Sequence, residues 1–225
     1  MRPVLTDEEV AKFRGDVCRV AEVLFARHGV EGVTMRQIAT ELHCSPTTAY
    51  RYFTNKEEIL AAVKAAAFNR FCEVIEEATR SSPDPRKSAR NVGQAYLGFA
   101  LEYPDAYRMM FDINQAAVTG SAELAEALAR ARRSMVAYVA PMIDQGFLRG
   151  EAQGLGQMLW ASAHGLVMLR LSGIVVDDTE LRKLHETTMA ALVRGAYEVM
   201  PGSRDRSTRE LISPARPRKA KGKAP

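Results

Sequence analysis

Helix start and stop signals recur along most of this chain, and nothing else in the sequence constrains the fold as strongly. Thr6 with Glu9 has the spacing of a capping box and Gly29 that of a stop, so a helix is expected between them, with Val10, Phe13, Val17, Ala21 and Leu24 on its apolar face. Thr34 with Gln37 predicts a short second helix reaching about Leu42. Ser45 predicts a third of about eight residues, with Pro46 at its first position, where a missing N–H does no harm. Asn55 with Glu58 predicts a long fourth helix, apolar at Ile59, Val63, Ala67, Phe71, Val74 and Ala78, which Ser81-Ser82-Pro83-Asp84-Pro85 ends. Further helices are expected over 86–103, 104–113, 122–147, 152–173 and 178–199, the last capped by Asp177 with Glu180. No strand-length run alternates with period two, and no repeat of 20–50 residues appears, so the expected fold is all-α.

Charge divides the chain unevenly. Residues 201–225 hold eight Lys/Arg against Asp205 and Glu210, while the first 200 hold 23 basic and 25 acidic side chains. The basic end is poor in apolar residues and is expected to be a disordered tail. Residues 152–169 carry no charge, which raises a membrane reading, but Gln153, Gly154, Gly156, Gln157, Ser162, His164 and Gly165 make that stretch too polar to face lipid. The opening residues show no apolar leader. With only Cys18, Cys44 and Cys72, neither a disulfide framework nor a zinc site is expected, and the expected compartment is a reducing cytoplasm. There is no Gly-rich phosphate loop, no paired metal-ligand spacing and no nucleophile elbow, so neither a cofactor nor enzymatic activity is expected. His28 and His43 are expected near helix ends in solvent, and His185 on a polar face beside Lys183 and Glu186.

Two helices as short as the second and third do not hold together alone in water. They require the first and fourth helices around them, with Ile38, Ala39, Leu42, Ala49 and Phe53 as the shared core. A short helix packed across its predecessor is the arrangement that places one helix N-terminus in a major groove. The run Thr34-Met35-Arg36-Gln37-Ile38-Ala39-Thr40-Glu41-Leu42, followed by Ser45-Pro46-Thr47-Thr48-Ala49-Tyr50-Arg51-Tyr52-Phe53-Thr54-Asn55-Lys56-Glu57, resembles the DNA-binding signature of TetR-type (tetracycline-repressor-like) regulators over about residues 8–60. The resemblance implies a helix–turn–helix domain over 1–60, a ligand-binding and dimerisation domain over 61–200, and double-stranded operator DNA as partner.

Site residues follow from the same resemblance. Thr34 and Lys56, at helix N-termini, suit phosphate oxygens, and so do the phenols of Tyr50 and Tyr52, Tyr52 being the better placed. Arg36 corresponds to a position that reaches a base edge in some relatives, and Ser45, Pro46, Thr47, Thr48 and Arg51 complete the expected surface, with Pro46, Thr47, Thr48 and Arg51 facing the groove. Residues 1–60 carry eight basic and nine acidic side chains, so DNA affinity would have to come from a few placed contacts and from dimerisation rather than from net charge.

In the second half, Leu155, Leu159, Leu166 and Leu169 read as one apolar stripe and Trp160, Val167 and Leu171 as another, the mark of a helix sandwiched on two sides. Helices 152–173 and 178–199 are therefore expected to form a homodimer interface, as the resemblance also implies. Trp160-Ala161-Ser162-Ala163-His164-Gly165 resembles a W-A-x-x-H-G motif found in a subset of the family. Tyr96, Phe99, Tyr107, Met110, Phe111, Tyr138, Met142, Trp160, His164 and Met168 are the candidates to line a small-molecule cavity, and the same residues also have the spacing of plain helical core. The expected function is a repressor released from a pseudo-palindromic operator by a small molecule. The alternative is a ligand-independent architectural protein that holds DNA through its basic tail.

Overall fold

The computed structural model describes residues 6–112 and 121–198, and every regular element in them is a helix. In chain order these are α1 (Asp7–His28), α2 (Met35–Glu41), α3 (Pro46–Ala49), α4 (Lys56–Arg80), α5 (Pro85–Glu102), α6 (Pro104–Met110), α7 (Ala122–Ala137), α8 (Val139–Asp144), α9 (Ala152–Leu171) and α10 (Asp178–Glu198). The basic tail expected over 201–225 lies outside the described residues.

Side chains start these helices as their sequences predict. Thr6 accepts from the Glu9 N–H while Glu9 accepts from the Thr6 N–H, and Thr34 with Gln37 repeats that reciprocal pair. Asn55 accepts from the Glu58 N–H at 2.8 Å, but the Glu58 carboxylate reaches one residue further back, to the Thr54 N–H at 2.7 Å. Glu180 does likewise, taking the Val176 N–H while Asp177 caps the Glu180 N–H. At both sites the pair grips the backbone entering the helix rather than the cap residue itself.

Two expected helices differ. The third is α-helical for only Pro46–Ala49, then tightens into three-residue turns, with the Arg51 N–H donating to Thr48 O and Tyr52 to Ala49 O, both at 3.1 Å. The expected helix over 122–147 is broken at Tyr138 into α7 and α8. Pro141 is the physical reason: it has no N–H for the carbonyl of Ala137, and its ring crowds the preceding turn.

Two apolar cores share α4. Ile59, Leu60, Ala62 and Val63 join Val17, Ala21, Phe25, Ile38, Ala39, Ala49 and Phe53 in the N-terminal core. Ala61, Phe68, Phe71, Cys72 and Ile75 belong to the C-terminal core, formed with α5 to α10. The sequence predicts a single apolar face for α4, yet the helix is buried on several sides, because α1, α5, α6 and α7 all pack on it. Lys64 is buried there too, its ammonium donating to the Asp112 carbonyl at 3.3 Å and its pKa lowered by burial.

Helix α9 also differs from its expected pattern. The stripe it buries is Gly156, Leu159, Ala163 and Val167, mixing the two stripes read from sequence, while Leu169 stands exposed with Met158 and Met168. Gly156 lets α9 sit close on α7, since a Cβ there would fall 2.9 Å from Val136 Cγ2. Gly165 has nothing within 4 Å of such a Cβ in the single chain.

Candidate nucleic-acid interface and ligand cavity

The turn between α2 and α3 is fixed by backbone geometry. His43 takes φ 52° just past α2, its N–H donates to Thr40 O, and the Cys44 N–H donates to Ala39 O at 2.9 Å. That pair of bonds is a Schellman closure, which turns the chain sharply enough to bring Ser45 to the start of α3. Ser45 then caps the Thr48 N–H at 3.1 Å, with Pro46 in the first turn.

Arg14 of α1 clamps this unit from behind. Its guanidinium donates to Tyr52 O at 2.5 Å, lies 4.1 Å over the Phe53 ring and pairs with Glu58 at 3.4 Å. The Thr54 N–H bond, with help from Arg14, holds the Glu58 carboxyl below its usual pKa. A second tie runs from Lys56 Nζ to Val30 O at 2.8 Å, with Glu31 at 3.5 Å.

With these anchors in place, the ten predicted DNA-contact residues separate by exposure. Thr34, Arg36, Ser45, Pro46, Thr47, Tyr50 and Arg51 are exposed, Tyr50 by 53 %. Arg36 and Arg51 have no side-chain partner among the described residues. Thr48 is half-buried, its hydroxyl 2.9 Å from that of Ser45. Tyr52 is half-buried with its ring 4.3 Å from Phe13, and Lys56 points its ammonium inward to Val30 O.

In the C-terminal domain four predicted residues meet in one chain of hydrogen bonds, buried at its centre and half-buried at its ends. Trp160 Nε1 donates to the Tyr96 hydroxyl at 3.2 Å, Tyr96 and Tyr107 hydroxyls lie 2.5 Å apart, and the Tyr107 hydroxyl is 2.7 Å from His164 Nδ1. A neutral imidazole with its proton on Nε2 closes the sequence of donors and acceptors in one direction, from Trp160 to His164. Burial favours that form by lowering the His164 pKa.

The ten predicted ligand residues are not brought to a single cavity. Tyr96, Tyr138 and Met142 line a cavity of about 650 Å³ between α5, the α7–α8 bend, α9 and α10. Phe111 and Met168 line a separate cleft of about 480 Å³ against α1 and α6. Phe99, Tyr107 and Met110 are packed in the core, and Trp160 and His164 lean on it from the half-buried side. Sequence reasoning missed His185, which lines the larger cavity. It is buried rather than on a polar face, because Gly93 of α5 leaves room for its ring; a Cβ at Gly93 would lie 2.6 Å from His185 Cε1. His28 and His43 are exposed, as expected.

Among the described residues no group of His, Cys, Asp or Glu could hold a metal ion, and no helix is long and apolar enough to cross a membrane.

Comparison with known proteins supports this two-part organisation. Residues 18–63 match the pattern of bacterial regulatory proteins of the tetR family, and residues 89–192 match a tetracyclin repressor-like C-terminal domain. The chain is 25% identical over 99 residues to the HTH-type transcriptional activator FasR of Mycolicibacterium smegmatis, covering 44% of this chain and 45% of that one. It is 29% identical over 75 residues to the HTH-type transcriptional repressor AcnR of Corynebacterium diphtheriae, covering 33% and 40%. The matches therefore span less than half the length of these two curated relatives. A protein of unknown function from Rhodococcus sp. RHA1 shares the fold with a TM-score of 0.72 and 22% identity, over 82% of this chain and 95% of that one. On these matches, and on the caged helix–turn–helix ahead of a helical C-terminal domain, the chain belongs to the tetR family of bacterial regulatory proteins.

Proposed function

We propose that the chain is a homodimeric transcriptional repressor that binds a pseudo-palindromic operator and leaves it when a small molecule occupies the C-terminal domain. Residues 1–60 are assigned to DNA, 61–200 to ligand and dimerisation, and 201–225 to a tail. One observation carries the DNA-binding reading. Arg14 and Lys56 are tied inward, whereas Arg36 and Arg51 are exposed with no side-chain partner among the described residues. Free guanidiniums beside an exposed helix N-terminus suit base edges and phosphates. The exposed Tyr50 is the better-placed phenol for a phosphate, since Tyr52 is stacked on Phe13.

Dimerisation through α9 and α10 is supported by the outward Met158, Met168, Leu169 and Leu184, all at least 36 % exposed in the single chain. Two recognition helices would then address major grooves roughly 34–36 Å apart, or a multiple of that. The sign of regulation is our reading; one relative's name is that of an activator and the other's that of a repressor.

The test is selection from random duplexes at physiological salt, with the full chain and with a version lacking residues 203–225. Enrichment of one two-fold motif by both is the expected result. Loss of all retention with the tail, and no motif, would favour architectural binding instead.

A further inference from the structure

The larger cavity carries more chemical information than its volume, and any ligand class assigned to it rests on the proposed ligand-responsive function. Most of its wall is apolar, including Val92, Met135, Met142, Leu159, Met189 and Val193. Three buried polar side chains interrupt that wall, besides the exposed Gln94. Tyr138, at the α7–α8 bend, is 7 % exposed, and His185, on α10, is 8 % exposed. Neither has a hydrogen-bond partner among the described residues. The third polar group, the Tyr96 hydroxyl, is already held by Tyr107 and Trp160. Both side chains are buried, yet neither holds a sealed-off polar atom, so their hydroxyl and ring nitrogens open into the cavity, where a ligand that fills it can pair them. The Gly93 position makes the His185 placement a built feature, because any larger residue would displace the imidazole.

Charge settles which ligand. The charged residues in the lining, Arg86, Arg90 and Glu186, are all exposed. Arg86 is moreover paired with Asp84 at 3.5 Å and stacked 4.6 Å over Phe147. Inside, burial lowers the His185 pKa against the opposing pull of Glu186, and pushes the Tyr138 hydroxyl up to about 12. Both groups are therefore neutral near pH 7, and a carboxylate placed among them would lose its hydration with no buried cation in return.

We propose that this cavity binds an uncharged, mainly apolar molecule carrying a ketone or hydroxyl oxygen, which hydrogen-bonds to Tyr138 and His185. Cavities of roughly 300–1,000 Å³ take ligands of drug-like size, and 650 Å³ sits inside that range.

Titration of the full chain at pH 8 with 2-nonanone, 1-chlorooctane and nonanoate tests this, followed by the fluorescence of Trp160, the single tryptophan. The ketone should bind about a hundredfold tighter than either competitor, about tenfold for each of its two hydrogen bonds. Tyr138→Phe and His185→Leu should each remove about that tenfold for the ketone and leave 1-chlorooctane unchanged. Tyr138→Phe deletes no bond between described residues, so it decides the matter if His185→Leu fails to fold. Nonanoate binding as tightly as the ketone, no saturable response to the ketone, or a Tyr138→Phe variant with unchanged ketone affinity would each overturn the assignment. Adding the same compounds to the protein–operator complex separates ligand class from ligand response. Ketone bound without release of DNA sinks the ligand-responsive function alone, and release by nonanoate but not by ketone sinks the ligand class alone.

Discussion

Tyr107 shows how much can hang on one hydroxyl. It is fully buried on α6 and stands between the Tyr96 hydroxyl of α5 and His164 of α9, so three helices meet through one oxygen. Burial, reinforced by Tyr96, raises its pKa, and it remains a neutral donor across the usable pH range. Tyr107→Phe leaves His164 Nδ1 without its donor and should lower stability by about 1–3 kcal/mol, read as a shifted urea midpoint at constant slope. An unchanged midpoint would show the chain of hydrogen bonds to be energetically idle. The half-buried His164 and the buried His185 also set a pH dependence whose sign is fixed. Burial lowers both His164 and His185 below the ordinary 6.5, so the unfolded chain takes up protons that the folded one resists. Their contribution to stability is therefore full above about pH 6.5 and is lost as pH falls from there toward their folded values. The carboxylates Glu58 and Glu76 are shifted down from 4.5 by their hydrogen bonds, so their effect enters only at lower pH. The melting temperature should fall between pH 7.5 and 5.5, and His185→Leu should flatten that fall; an equal slope in the variant would contradict it.

Among the elements, those with side-chain caps were legible and those shaped by distant neighbours were not. Thr6, Thr34, Ser45, Asn55 and Asp177 each announce a helix because cap and partner lie within three residues. The break between α7 and α8 is equally local, with Pro141 as its mark; the run of apolar residues on either side hides the missing N–H. His185 was beyond reach, since its surroundings in sequence are polar and its burial depends on Gly93, some ninety positions away. The same distance explains why the ten candidate ligand residues divide between a cavity, a cleft and solid core: helical spacing says which residues share a face, not what that face meets. The α2–α3 turn yields a prediction at this scale. His43 holds a left-handed φ of 52°, which a β-branched residue adopts only with strain. His43→Val should destabilise the protein by about 1–2 kcal/mol, whereas His43→Gly should stay within about 1 kcal/mol of the parent. Thermal unfolding of both variants checks this, and equal melting points would show that the turn is not held in that conformation.

At the scale of the whole molecule, the issue is how a cavity in one core could inform a surface built on the other. Arg14 of α1 pairs with Glu123 of α7 at 3.6 Å across the two cores, and two closer links run beside it among the described residues. Glu22 of α1 takes Arg70 of α4 through both carboxylate oxygens at 2.8 Å, and Met109 of α6 inserts its side chain into the N-terminal core with Phe25 and Val63. The second link continues to the cavity, because α6 also carries Tyr107, which is bonded to the cavity-lining Tyr96. A ligand that displaces Tyr96 would pull on α6, and Met109 would carry the shift into the domain that positions Arg36 and Arg51. Dimer geometry has to be intact for such a shift to matter, and testing it requires outward residues. Leu159 is buried in the chain's own core, so a charge there would unfold the protein, whereas Leu169→Glu with Leu184→Glu should give folded monomers by sedimentation. The coupling itself is tested by Met109→Ala, a truncation at a buried site that should lower stability by about 2–4 kcal/mol while leaving Arg36, Arg51 and the cavity in place. In fluorescence anisotropy with the selected operator, this variant should bind DNA within about threefold of the parent and bind ligand unchanged, yet need far more ligand for release. A population of two states shifts only by the difference in affinity for each, so if the Met109 contact carries that difference, weakening it should reduce release without touching either binding event. Release at the parent's ligand concentration would place the coupling elsewhere, with the Glu22–Arg70 pair the next to be cut.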